Sequence, residues 1–135
     1  MKKHTRSLLS LLLVTLLIAS LAVPVMATIS GSDYCGSYKY TYSIQKKSTS
    51  GVASITTPNT PTNVTAKAVN NVKHPTTGSS TTISRTVTGY ASATATAGNT
   101  MTVNGTSYTV TIKSTTAEFK VNSTVVISAG ELTDA

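Results

Sequence analysis

The chain of 135 residues has no tryptophan, one phenylalanine, one cysteine, two histidines and four acidic residues. Each scarcity removes a class of protein. A single cysteine cannot staple a small disulfide scaffold, and one cysteine with so few histidines does not fill a structural zinc site. The length does not accommodate a multi-domain enzyme. Four acids, three of them near the ends of the region that follows the leader (Asp33, Glu131 and Asp134), do not supply the facing carboxylate pair that glycoside hydrolysis needs. The fourth, Glu118, shares a strand face with Lys120, and a surface ion pair is its expected role. A Cys–His nucleophile pair could only be Cys35 with His74, and no motif places them together. No catalytic residue, cofactor or metal ligand is therefore expected, and the protein is not read as an enzyme.

What is present begins with an address. Lys2, Lys3 and Arg6 precede an uncharged apolar run from Leu8 to Val23, Pro24 breaks it, and Val25-Met26-Ala27 ends in a small residue. This is the layout of a secretory signal peptide over residues 1–27 with cleavage after Ala27. The region that follows, 108 residues, carries only +4 of the chain's +7, because three basic residues belong to the leader. Secretion is the expected localisation, with a mature form that does not span a membrane.

Those 108 residues contain 25 Thr and 15 Ser, while Ile, Leu, Val and Phe together supply only 18. So low an apolar content signals disorder only when net charge is high, and here it is low. Abundant β-branched side chains are stiff at χ1 and suit a pleated surface. The expectation is an all-β domain over residues 28–129, with a thin core of small side chains and a flexible tail at 130–135.

The pattern has period two. Tyr38, Tyr40, Tyr42 and Ile44 alternate with polar residues; Ser50 to Thr57, then Val64 to Ala68, make further strands. Asn70-Asn71 reads as a turn and 74–80 as a loop. Thr81 to Ala97 reads as one long strand, bent at Gly89. Asn104-Gly105 is a hairpin signal between Met101–Val103 and Ser107–Lys113, and Asn122-Ser123 turns the chain once more. Seven or eight short strands with no helix after the leader predict an antiparallel β-sandwich, with an open barrel as the other closure. Thr-x-Thr recurs at Thr86, Thr94 and Thr109 without a fixed period, which argues against a solenoid.

Two features carry a candidate for binding. Tyr38, Tyr40 and Tyr42 share one face and Lys39 lies among them; turned outward they form an aromatic strip for sugar rings or a protein, turned inward they are core. Cys35, alone in an exported chain, is either an intermolecular disulfide or a small apolar residue where the first strand starts. Scattered lysines, of which only Lys46-Lys47 are adjacent, do not make a nucleic-acid patch. Attraction to anionic surfaces is the more natural consequence of mild basicity.

The Lys2-Lys3 leader ending in Val25-Met26-Ala27, followed by Cys35-Gly36-Ser37-Tyr38 and Thr/Ala strands, resembles the small secreted Ser/Thr-rich β proteins of Gram-positive bacteria. The expected role is a non-catalytic cell-surface or extracellular-matrix binding or structural module. Its expected partners are cell-wall polysaccharide, an anionic surface or another protein, with a homodimer or a strand-addition polymer as possible assemblies. The alternative is a secreted bacteriocin or toxin-like protein acting on membranes.

Overall fold

A computed structural model describes residues 27–133, with the side chains of 28–127. The expected leader, residues 1–26, lies outside the described residues. Ala27, expected to end the leader, is the first residue of a strand and pairs with Lys46.

The described chain is all-β. Ten strands follow in order: β1 Ala27–Cys35, β2 Tyr38–Lys46, β3 Gly51–Thr56, β4 Asn63–Lys73, β5 Ser80–Tyr90, β6 Ser92–Ala97, β7 Thr100–Val103, β8 Thr106–Thr109, β9 Ile112–Val121 and β10 Thr124–Thr133. They form two four-stranded antiparallel sheets, β1-β2-β3-β6 and β10-β9-β4-β5, and the separate β7-β8 hairpin. One core cluster takes Tyr40, Ile44, Ala53, Ile55, Ala93, Ala95 and Ala97 from the first sheet. The second sheet contributes Val64, Ala66, Ala68, Ala117, Phe119 and Val121 to the same cluster. Seven of these thirteen residues are alanine, so stabilisation is concentrated in the few larger side chains, each worth about 1.5–3 kcal/mol on burial. Phe119, Ile44 and Ile55 are the largest of them fully buried.

The sequence reading and the structure part at several points. Asn70-Asn71 is no turn: both residues lie inside β4, which runs on to Lys73. Asn70 is fully buried, and its amide nitrogen donates to the carbonyls of Ala97 and Gly98 at 2.8 and 2.9 Å. Its Oδ1 accepts from Thr115 Oγ1 at 2.9 Å. A polar side chain so satisfied costs little in a core and ties β4 and β9 to the end of β6. Thr81–Ala97 is two strands in different sheets. Ala91 sits at φ 65°, and a Cβ on Gly89 would run into the Ser92 carbonyl oxygen, so the chain changes sheets through a corner that only glycine fits. Ser107–Lys113 is likewise broken at Val110-Thr111, between β8 and β9.

The turns follow the residues. Asn104 and Gly105 have φ of 49° and 81°, the positive pair a type I′ turn requires, and Asn122 and Ser123 have 48° and 69°. Gly36, at φ 61°, opens the two-residue turn between β1 and β2. β10 pairs on through Thr133 opposite Ser114, so the expected loose tail begins within a paired strand, and residues 134–135 lie outside the described residues. Among the described residues no helix is long and apolar enough to cross a membrane.

Candidate functional site

The Tyr face of β2 turns inward. Tyr40 is 4% exposed, Ile44 is fully buried, and Tyr38 and Tyr42 pack partly buried against the same core. The Tyr42 ring lies 5.6 Å from Phe119 and 6.3 Å from Tyr40, centroid to centroid. It also covers Gly31, its partner across β1, where a Cβ would meet the phenol oxygen. The physical reason is supply: with no Trp and one Phe, the tyrosines are the large side chains available to fill that end of the core. Of the two orientations open to Tyr38, Tyr40 and Tyr42, the structure has the inward one, so they belong to the core and not to a surface strip. Lys39 lies on the opposite face, paired across the strands with the exposed Tyr34. Cys35 is a free, partly buried thiol that packs against the core at the end of β1, not at the start of the first strand.

Burial raises the Tyr40 phenol above its usual 10.0, and the charge of Asp33, its cross-strand partner, pushes the same way. The ionised form is disfavoured in the folded chain, so above pH 10 the unfolded state loses its proton first. Stability from this group is intact below that range and falls as pH rises through the folded value. Tyr40→Phe is expected to flatten the alkaline limb, read as the change in urea midpoint between about pH 9 and about pH 11 relative to the parent. An unchanged slope would remove Tyr40 as its source.

The outward face of the first sheet is a register-aligned grid. Ser32, Thr41, Thr56 and Ser92 form one row, Ser30, Ser43, Ser54 and Thr94 the next, and Thr28, Gln45, Val52 and Thr96 the third. Ser54 and Thr94 are hydrogen-bonded across it at 3.0 Å. No charged side chain stands in these rows.

Charge collects elsewhere. The loop 74–79 between β4 and β5, and the segment from Tyr108 to Lys113, enclose an open cleft of about 560 Å³. Its polar walls are Lys73, His74, Tyr108, Thr109, Thr111 and Lys113, and its apolar walls are Pro75 and Val110. A second small core, Val72, Val110 and Ile112 with Ile83 and Met101, holds the two sides together. Within the loop, Gly78 N donates to the His74 carbonyl at 2.9 Å and His74 N to the Ser79 carbonyl at 2.7 Å. The backbone N–H groups of Thr76 and Thr77 approach His74 Nδ1 at 3.4 Å, and Thr76 Oγ1 stands 3.2 Å away. Nδ1 is thus the acceptor, which leaves Nε2 to carry the proton and donate.

Two lysines, a histidine and a tyrosine line the cleft, with no acidic side chain among the lining residues. That set suits an anion, and the Tyr108, Pro75 and Val110 surfaces suit the body that carries it. Sequence reasoning placed His74 in a loop and weighed it only as a partner for Cys35. The neighbours of His74 in the cleft, Tyr108 and Lys113, lie more than thirty positions away; Tyr108 comes in on β8, and Lys113 on β9, which pairs with β4 at Val72 and Ile112. Glu118 takes its expected place beside Lys120, at 3.9 Å on the exterior. Among the described residues no three of His, Cys, Asp and Glu stand together as a metal-binding group. Comparison with protein-family models, with curated proteins and with solved structures finds no match to this chain.

Proposed function

We propose that the protein is an exported, non-catalytic β-sandwich that binds anionic polysaccharide of a cell surface or matrix through the Lys73–Lys113 cleft. The observation that carries this reading is the lining itself: Lys73, His74, Tyr108 and Lys113 with no carboxylate among them. A carboxylate or phosphate on a sugar unit meets the two ammonium groups and the imidazole N–H, while the ring of the sugar lies against Tyr108. The sandwich closure is supported by the larger core cluster, which both sheets fill. Export is supported by Lys2, Lys3 and Arg6, the Leu8–Val23 run and the Val25-Met26-Ala27 ending.

Protein recovered from the medium of an expressing bacterium provides the test. It should be retained on beads coated with polygalacturonate and pass through beads coated with neutral dextran. Lys73→Gln with Lys113→Gln should weaken retention about tenfold, the effect of roughly 1.4 kcal/mol for two exposed charge contacts together. Equal retention on both beads, or a double variant that binds like the parent, overturns the cleft as the site. Leakage from anionic lipid vesicles without polysaccharide binding would favour a membrane-acting toxin instead. An intact mass that begins at Thr28 locates the cleavage after Ala27.

A further inference from the structure

The two sheets present four edges, and three of them carry a device that blocks strand addition. On β1, Asp33 shares the core-facing side with Cys35 and Gly31 yet is exposed, so its carboxylate leaves around the open edge. On β5, Arg85 stands between Val87 and Ile83, both packed inward, and is likewise exposed. Inward-pointing charges on edge strands are a known guard against pairing. The β10 ladder is interrupted by register shifts between Val125 and Ile127 and between Ile127 and Gly130. The fourth edge, β6, has the sequence Ser-Ala-Thr-Ala-Thr-Ala, with no charge, no proline and no register shift.

Its free hydrogen-bonding groups can be assigned. Lys47 N donates to the Ser50 carbonyl and Thr57 N to the Ala91 carbonyl, which sets the alternation of both ladders of β3. Even-numbered residues of β3 bond to β2 and odd-numbered ones to β6. Ala93, Ala95 and Ala97 therefore face β3, and the N–H and C=O groups of Ser92, Thr94 and Thr96 point away from it.

We infer that β6 is a self-pairing edge, and that two copies of this chain join antiparallel through it into a continuous eight-stranded sheet. A two-fold axis at Thr94 sets Thr94 opposite its own copy and Ser92 opposite Thr96; the Ser92 carbonyl already lies against Gly89, so the pairing is carried by both groups of Thr94, the Ser92 N–H and the Thr96 carbonyl. The alternation is kept across the axis: Thr and Ser meet on the outward face and Ala meets Ala on the core side, which extends the hydroxyl rows into the second copy. Two copies of a basic chain repel, and this is the edge whose own strand brings no charge to the contact. Arg85 is the only charged residue on β5 or β6, so the association is concentration-dependent and tightens as added salt screens it.

Sedimentation equilibrium of the secreted protein, with reductant present so that Cys35 cannot cross-link copies, reads this directly. A monomer–dimer equilibrium is expected over about 10–500 μM, accompanied by concentration-dependent protection of the Ser92 and Thr94 amides from hydrogen exchange. Thr94→Lys sets two ammonium groups face to face at the axis and should shift the dimer constant at least tenfold towards monomer. Thr94→Pro removes a donor that β3 does not use and should do the same. Circular dichroism matching the parent confirms that each variant is folded. A parent that stays monomeric at 500 μM overturns the inference, as does a folded Thr94→Lys protein that dimerises like the parent.

Discussion

Phe119→Ala is expected to cost about 3–5 kcal/mol, a large share of the roughly 5–15 kcal/mol that holds a domain of this size together. Phe119 is fully buried on β9, opposite Ala66 on β4 and against the Tyr42 ring of the other sheet. Its neighbours in the core include Ala53, Ala66, Ala93, Ala95 and Ala117, which have no side chain that can swing into the space. The cavity therefore stays open, and the cost lies towards the top of the range. Urea unfolding followed by circular dichroism measures it; a loss below about 1 kcal/mol would show that the sheets close over the gap. Phe119→Leu, which keeps most of the volume, should cost less than half as much.

The second large effect is at Asn70. Asn70→Ala removes the bonds donated to the Ala97 and Gly98 carbonyls and leaves the buried Thr115 hydroxyl without its acceptor, and should cost about 3 kcal/mol, at roughly 1–3 kcal/mol for each buried hydrogen bond lost. Asn70→Asp separates this cause from simple loss of volume. The carboxylate fills the same space and still accepts from Thr115, but sets an oxygen against two carbonyl oxygens. It should destabilise at least as much as alanine. An aspartate variant with the parent's urea midpoint would show that the two donated bonds contribute nothing. The site tolerates no larger change nearby, because a Cβ on Gly51 would run into Asn70 Oδ1 and the Thr115 side chain.

Both residues show where local pattern stops being informative. Asn-Asn is turn chemistry, and reading it as a turn is sound when the only competitors are local. Its burial depends on Thr115 and the Ala97 and Gly98 carbonyls, which lie 45, 27 and 28 positions away. The Tyr face of β2 is a similar case. Period two placed Tyr38, Tyr40, Tyr42 and Ile44 on one face, but a period does not say which face meets the other sheet. That is decided by what lies across the gap, here Phe119 and the alanines.

The hydroxyl grid makes the same point in reverse. Along the chain, Thr-x-Thr has no fixed spacing. Across the first sheet, antiparallel register lines the residues up in rows, because pairing adds a fixed step between strands however long the connections are. A regularity absent from the linear order is thus present on the surface.

By itself the sequence determined the all-β class, the Asn104-Gly105 and Asn122-Ser123 turns, the alternation of nearly every strand and the want of paired acids and histidines. These are local or compositional properties, set by side-chain stiffness, φ preference and the residue inventory. Only the tertiary structure decided the assignment of β5 and β6 to different sheets, the inward turn of the tyrosines and the pairing of Asn70. It also decided the meeting of Lys73 and His74 with Tyr108 and Lys113. Each of these is a relation between distant segments, fixed by which faces bury one another, and a scarcity of large side chains leaves few residues to mark those faces in advance.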